Sequence, residues 1–94
     1  MTRTIPHFLG GSLHAPTEGR FADVFDPSSG AVQARVPLAS ADEVRAAIDV
    51  AEAAQPGWAA TNPQKRARVL LRFLDLVQRE MQSLAELLAS EHGK

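Results

Sequence analysis

The sequence predicts an α+β segment: two short β-hairpins followed by two or three α-helices. Three observations carry this. Glycine pairs and an Asp-Pro-Ser-Ser-Gly run separate short apolar stretches before residue 40. The spacing of apolar residues then changes from period two to a helical period at Ser40. From Leu70 to Leu88, large apolar residues step by alternating fours and threes, which marks a single helix face.

Taken in order, Ile5 to Leu9 is a short apolar run stopped by Gly10-Gly11, a pair suited to a tight hairpin turn whose central residues need φ > 0. Ser12 to Ala15 returns, and Pro16 ends it. Phe21 to Phe25 is a second strand, rich in aromatic and β-branched residues. Asp26-Pro27-Ser28-Ser29-Gly30 supplies turn chemistry: a carboxylate to bond the backbone, a fixed φ, and a glycine for positive φ. Val32, Ala34, Val36 and Leu38 then alternate with Gln33, Arg35 and Pro37, which predicts one buried face. Proline cannot donate to a ladder, so Pro37 belongs at a sheet edge or a strand end.

Ser40-Ala41-Asp42-Glu43 fits a capping box, and Val44, Ala47, Ile48 and Ala51 follow at helical spacing. Pro56-Gly57 should end or kink that helix. Asn62-Pro63 starts the next one, with Asn62 as N-cap and proline at the first helical position. The stripe of Leu70, Leu74, Val77, Met81, Leu84 and Leu88, with Phe73 alongside, belongs to one long helix or to two bent near Met81 to Ser83. A second capping box, Ser83-Leu84-Ala85-Glu86, favours the bend. Gly93 is a helix terminator. Residues 1–39 are thus the hairpins and residues 40–94 the helices, and together they make no complete domain.

Composition narrows the function. At 94 residues the chain is at most one small domain, and with four phenylalanines, one tryptophan and abundant alanine its own core is thin. Ten basic and eleven acidic side chains give a net charge of -1, so nothing favours capture of nucleic acid or of an anionic membrane. Without cysteine there are no disulfides and no thiolate metal sites. No stretch has signal-peptide or membrane-spanning character, so the expected location is cytoplasmic.

The candidate sites are few. His7, His14 and His92 are far apart and lack neighbours at metal-ligand spacing, so they read as surface or half-buried histidines. Gly10-Gly11 and Ser28-Ser29-Gly30 fit no phosphate-binding pattern and read as turns. Lys65, Arg66, Arg68 and Arg72 form a basic cluster at a helix start, read as a solvated face pairing with acidic groups of a larger protein. Asp75 and Arg79 make a favourable pair four apart. Carboxylates such as Glu80, Glu86 and Glu91 have no nucleophile in a recognisable context, so the chain has no catalytic site of its own. On these residues alone function stays undetermined. One reading is a self-contained helical interaction module whose Leu70–Leu88 stripe docks a partner helix or self-associates.

The order of the local signals resembles the opening of the aldehyde dehydrogenase superfamily. The matching pieces are an apolar strand ending at Gly10; Phe21-Ala22-Asp23-Val24-Phe25-Asp26-Pro27-Ser28-Ser29-Gly30; and Val32-Gln33-Ala34-Arg35-Val36-Pro37. Asp42-Glu43-Val44, Trp58, Arg66-Ala67, Leu84-Ala85-Glu86-Leu87 and Glu91-x-Gly93-Lys94 complete the set, which runs from Ile5 to Lys94. Asp26 departs from the pattern, which usually has asparagine before the proline; both residues cap that turn. Ile5-Pro6-His7-Phe8, the run from Gly19 to Phe25, the run from Ala54 to Gln64, and Ser90-Glu91-His92-Gly93-Lys94 look like the CoA-acylating methylmalonate-semialdehyde dehydrogenase branch.

The resemblance implies the N-terminal part of an α/β aldehyde dehydrogenase fold. It implies NAD-dependent oxidation of methylmalonate or malonate semialdehyde to propionyl-CoA or acetyl-CoA with loss of the carboxyl group, as in valine and inositol catabolism. NAD and CoA would serve the full-length enzyme, and neither would bind this chain alone. The family's nucleophilic cysteine and dinucleotide fold lie downstream, so no catalytic or cofactor-binding residue is carried over. One site is: the main-chain carbonyls of Val24 and Phe25, which in relatives help bind a monovalent cation. The implied partners are the remainder of the dehydrogenase chain and further copies in a dimer or tetramer. Within the class, a succinate-semialdehyde or betaine-aldehyde enzyme is the alternative.

Overall fold

The computed structural model describes residues 2–16 and 18–94. Five short strands come first: β1 (Arg3–Thr4), β2 (His7–Leu9), β3 (Ser12–His14), β4 (Arg20–Phe25) and β5 (Val32–Leu38). Three helices follow: α1 (Ala41–Ala60), α2 (Pro63–Arg79) and α3 (Met81–His92).

Both expected hairpins are present. β2 and β3 pair antiparallel around Gly10 and Gly11, whose φ values of 58° and 81° are both in the left-handed region that this turn requires. β4 and β5 also pair antiparallel, joined by the turn at Asp26. There the Asp26 carboxylate accepts the Ser28 N–H at 2.9 Å, and the Asp26 carbonyl accepts the Gly30 N–H at 2.7 Å.

The structure adds a fifth strand. Arg3 and Thr4 lie parallel to Ala34 and Arg35, making a three-stranded sheet in the order β1-β5-β4. β5 is therefore central at Ala34 and Arg35, not an edge strand throughout. The last bond on the β1 side is from the Ile5 N–H to the Arg35 carbonyl, at 2.8 Å. Beyond it that side of β5 has no partner strand, so the N–H that Pro37 lacks is not required.

The alternation expected along β5 holds only in the middle. Ala34 is fully buried and Val36 half-buried, but Val32 and Leu38 at the strand ends are exposed, while Pro37 is buried and Gln33 half-buried. Too little lies over the strand ends to cover them, and Gln33 is drawn in by a contact with α3.

At α1 the capping box is complete. Ser40 Oγ accepts the Glu43 N–H at 3.1 Å and Glu43 Oε1 accepts the Ser40 N–H at 3.0 Å. Pro56 does not end this helix, which runs on to Ala60. Proline forfeits the bond to the Glu52 carbonyl, but residues 52–60 are exposed and water can serve that group. Asn62 caps α2 through the Gln64 N–H at 2.8 Å, with Pro63 in the first turn.

The break between α2 and α3 falls at Glu80, before the expected Met81–Ser83 bend. Glu80 (φ -98°, ψ 14°) closes one helix and opens the other. Ser83 is accordingly not an N-cap. It lies inside α3, its hydroxyl 3.0 Å from both the Glu80 carbonyl and the Glu80 carboxylate.

These elements do not close around a core. Ala34 is the one fully buried apolar residue among those described. The Cα radius of gyration is 17.0 Å, against about 12 Å for a compact domain of this length. The accessible surface is 7630 Å², against about 5,300 Å² for a compact protein of this mass. Much of the difference is the predicted stripe: Leu70, Phe73, Leu74, Met81, Leu84 and Leu88 are between 44% and 63% exposed, and only Val77 is half-buried.

The end of α3 comes back onto the β4–β5 turn. Gly93 ends α3 at φ 79°, and a Cβ built there would stand 3.1 Å from Pro27 Cγ. Gly93→Ala meets both that contact and the left-handed penalty. It is expected to weaken docking of α3 on the β4–β5 turn by about 1–2 kcal/mol. Faster amide exchange at residues 28–31 would report it; exchange equal to wild type would show that the contact holds nothing.

Candidate functional site

The carbonyls of Val24 and Phe25 sit at the end of β4, at an irregularity in its ladder. Val24 pairs with Ala34 but Phe25 pairs with Val32, which leaves Gln33 as the extra residue of a bulge. The extra residue is on β5, so β5 is the strand that the bulge bends, and Val24 and Phe25 face it from β4. The Gln33 side chain spans the gap. Its Nε2 lies 3.3 Å from the Phe25 carbonyl and 2.8 Å from the Ser90 carbonyl. Ser90 is in the last turn of α3, where carbonyls lack helical partners, so Gln33 caps that helix from the strand. Nothing in the sequence pattern singled out Gln33. The bulge that marks it shows only in the paired register of β4 and β5.

The histidines divide differently from the expectation of isolation. His92 is in the last turn of α3. His7 and His14, however, are direct partners across the β2–β3 hairpin. A two-residue turn at Gly10-Gly11 makes this arithmetic: Leu9 must face Ser12, Phe8 must face Leu13, and His7 must face His14. His14 Nε2 lies 3.1 Å from Ser12 Oγ, and His7 Nε2 lies 3.7 Å from Glu43 Oε2 of α1. Glu43's carboxyl is held below the ordinary carboxylate range, chiefly by the Ser40 N–H, then by the Ser40 hydroxyl. A charge on His7 acts in the same direction, and desolvation opposes them. Among the described residues no three His, Asp or Glu side chains converge to hold a metal ion.

Two hollows flank this hairpin. One, of about 310 Å³, is walled by Leu9, Val44, Ala47, Ile48 and Ala51, with His7 and Glu43 at its side. The other, of about 340 Å³, includes His7, His14 and Pro16. Neither suits a dinucleotide. The nearest helix start, that of α1, carries Asp42 and Glu43, which repel phosphate, and its cap amides are engaged. The basic cluster lies on the first turns of α2, where Arg66 is half-buried with Nε unpaired and Lys65, Arg68 and Arg72 are exposed. The first helical residue there is a proline without an N–H, and the Asn62 side chain takes the Gln64 amide. No described helix is long and apolar enough to cross a membrane.

The chain belongs to the aldehyde dehydrogenase family, whose model matches residues 14–94. It is 44% identical over 91 residues to malonate-semialdehyde dehydrogenase of Pseudomonas aeruginosa, a match covering 97% of this chain and 18% of that protein. It is 35% identical over 94 residues to the acylating mitochondrial methylmalonate-semialdehyde dehydrogenase of Arabidopsis thaliana, covering 100% of this chain and 16% of that one. A crystal structure of a Sinorhizobium meliloti protein assigned as a methylmalonate-semialdehyde dehydrogenase, complexed with NAD, superposes with a TM-score of 0.93 at 48% identity. That match covers 98% of this chain and 19% of the other. The chain thus spans less than a fifth of the length of each relative.

Proposed function

We propose that these 94 residues form the N-terminal scaffold of an NAD-dependent, CoA-acylating dehydrogenase acting on malonate or methylmalonate semialdehyde. The observation that carries this is the continuous likeness to the Sinorhizobium structure over 98% of the chain. The acylating designation of the Arabidopsis relative supports the CoA step. The scaffold role rests on the bare stripe of α2 and α3, a face that the remainder of a dehydrogenase chain would cover. The acyl-forming nucleophile is not among these residues, because they include no cysteine. The whole protein is proposed to work as a homo-oligomer in the cytoplasm.

The test is direct. The whole protein, given either semialdehyde with NAD and CoA, should form NADH and propionyl-CoA or acetyl-CoA, whereas the 94 residues alone should form none. Turnover indifferent to CoA, with a free acid as product, would overturn the acylating reading. One relative favours an alternative substrate: the chain is 37% identical over 90 residues to 2-aminomuconic semialdehyde dehydrogenase of Bos taurus. Oxidation of that semialdehyde in preference to the three- and four-carbon ones would establish it.

A second part of the proposal is a monovalent-cation site built on the main-chain carbonyls of Val24 and Phe25; it rests on the family likeness alone, and in this structure the Phe25 carbonyl accepts from Gln33 Nε2 at 3.3 Å. Exchanging potassium for a bulky organic cation should lower the whole protein's thermal midpoint. An unchanged midpoint would remove the site.

A further inference from the structure

We propose that the surface covering the α2–α3 stripe carries an aspartate or glutamate of the remainder of the dehydrogenase chain, set against Arg66. This rests on the scaffold reading and names the chemistry of the covering face. The structure separates Arg66 from the rest of its basic cluster. It precedes Leu70 by four residues, Phe73 by seven and Val77 by eleven, so it stands on the stripe's own face of α2. Arg66 and Val77, about three turns apart, are the two half-buried residues of α2, whereas Lys65, Arg68 and Arg72 are exposed.

No acid among the described residues answers this charge. Arg45 has Asp42 and Arg79 has Asp75, but Arg66 is in no ion pair. The residues three and four away on its helix are Asn62, Pro63, Val69 and Leu70, none of them acidic. Its Nε is shut off from solvent and bonds nothing. It also sits near a helix start, where the dipole disfavours a cation. Arginine does not shed its proton, so it cannot enter an apolar interface neutral, as a lysine can. A surface that covers Leu70 and Phe73 covers Arg66 with them, and a charge carried into such an interface needs an anion. The planar guanidinium suits a carboxylate, which can take two of its N–H groups at once. The chain spans under a fifth of each relative, so most of the protein is available to supply that residue.

Thermal melts of the whole protein read the pairing. Arg66→Met keeps an unbranched apolar stem but strands the carboxylate, so the midpoint should fall by about 5 °C or more. Arg66→Lys keeps the charge without the planar two-point contact and should lose less. Lys65→Met removes the same charge from an exposed position and should stay within about 1 °C of the parent. In the Arg66→Met background, each aspartate and glutamate of the remainder is then changed singly to its amide. One such change should recover most of the midpoint, or restore soluble protein if Arg66→Met fails to fold, because it removes the stranded charge. Leu74→Glu keeps the scaffold reading separate. If the whole protein tolerates it, nothing covers this face and both readings fall. If it does not, yet Arg66→Met melts like the parent, the face is covered without a carboxylate and this proposal alone falls. A loss that no amide change recovers, that Lys65→Met matches, or that appears only with NAD or CoA bound would also overturn it.

Discussion

The 94 residues alone are expected to associate, to bind a hydrophobic dye such as ANS, and to melt without a sharp transition. Six large side chains of the stripe on α2 and α3 face solvent, each worth roughly 1.5–3 kcal/mol when fully buried. Leaving half of that stripe wet forfeits on the order of 5–10 kcal/mol, which matches the whole stability of a small domain. The five strands offer no substitute, because their one fully buried apolar residue is an alanine. Sedimentation at rising concentration and a thermal melt decide the matter. A monomer that melts cooperatively and leaves the dye dark would overturn the scaffold reading.

Leu74→Glu should act in opposite directions on the two forms. Glutamate is a good helix former, so α2 itself survives the change. In the isolated 94 residues, a charge in the middle of the exposed stripe should suppress association. In the whole protein the same side chain would be carried into an apolar interface. There the lost leucine packing alone costs about 2–5 kcal/mol, and an unpaired buried carboxylate adds to it. Loss of soluble whole protein is the expected outcome. Gln64→Glu, at the favourable end of the same helix, adds the same charge and should leave both forms unchanged. A Leu74→Glu whole protein that expresses and melts like the parent would mean that nothing covers this face.

Most of the fold was legible because its signals are local. Gly10-Gly11, the carboxylate of Asp26, Ser40 with Glu43, Asn62-Pro63 and Gly93 each act within a few residues of themselves, and each does in the structure what its chemistry requires. The errors arose where a distant partner or solvent decides. β1 is two residues long and carries no pattern; it exists because β5, some thirty residues on, offers it a parallel edge. Pro56 interrupts hydrogen bonding but not the helix, since its surroundings are wet. Ser83 has the composition of a cap, yet the chain breaks at Glu80 and leaves that hydroxyl to bond backwards. The candidate site was legible only as a resemblance. Val24 and Phe25 carry no side-chain signal for ion binding, and Gln33, which bridges Phe25 to α3, becomes visible only through the bulge. The His7–His14 pairing could have been counted out from the glycine turn; its approach to Glu43 could not.

The clamp at Gln33 also sets an order in time. Its two acceptors are made at very different moments during synthesis: Phe25 precedes Gln33, while the Ser90 carbonyl follows it by 57 residues. At cellular elongation rates of 5–20 residues per second, that interval is roughly 3–11 seconds. A β-hairpin forms in about 1–10 microseconds. The β4–β5 hairpin can therefore be complete, with Gln33 already turned to the Phe25 carbonyl, long before the last turn of α3 has been made. The end of α3 meets a finished acceptor surface, and the arc of three helices is closed by the last of them to leave the ribosome.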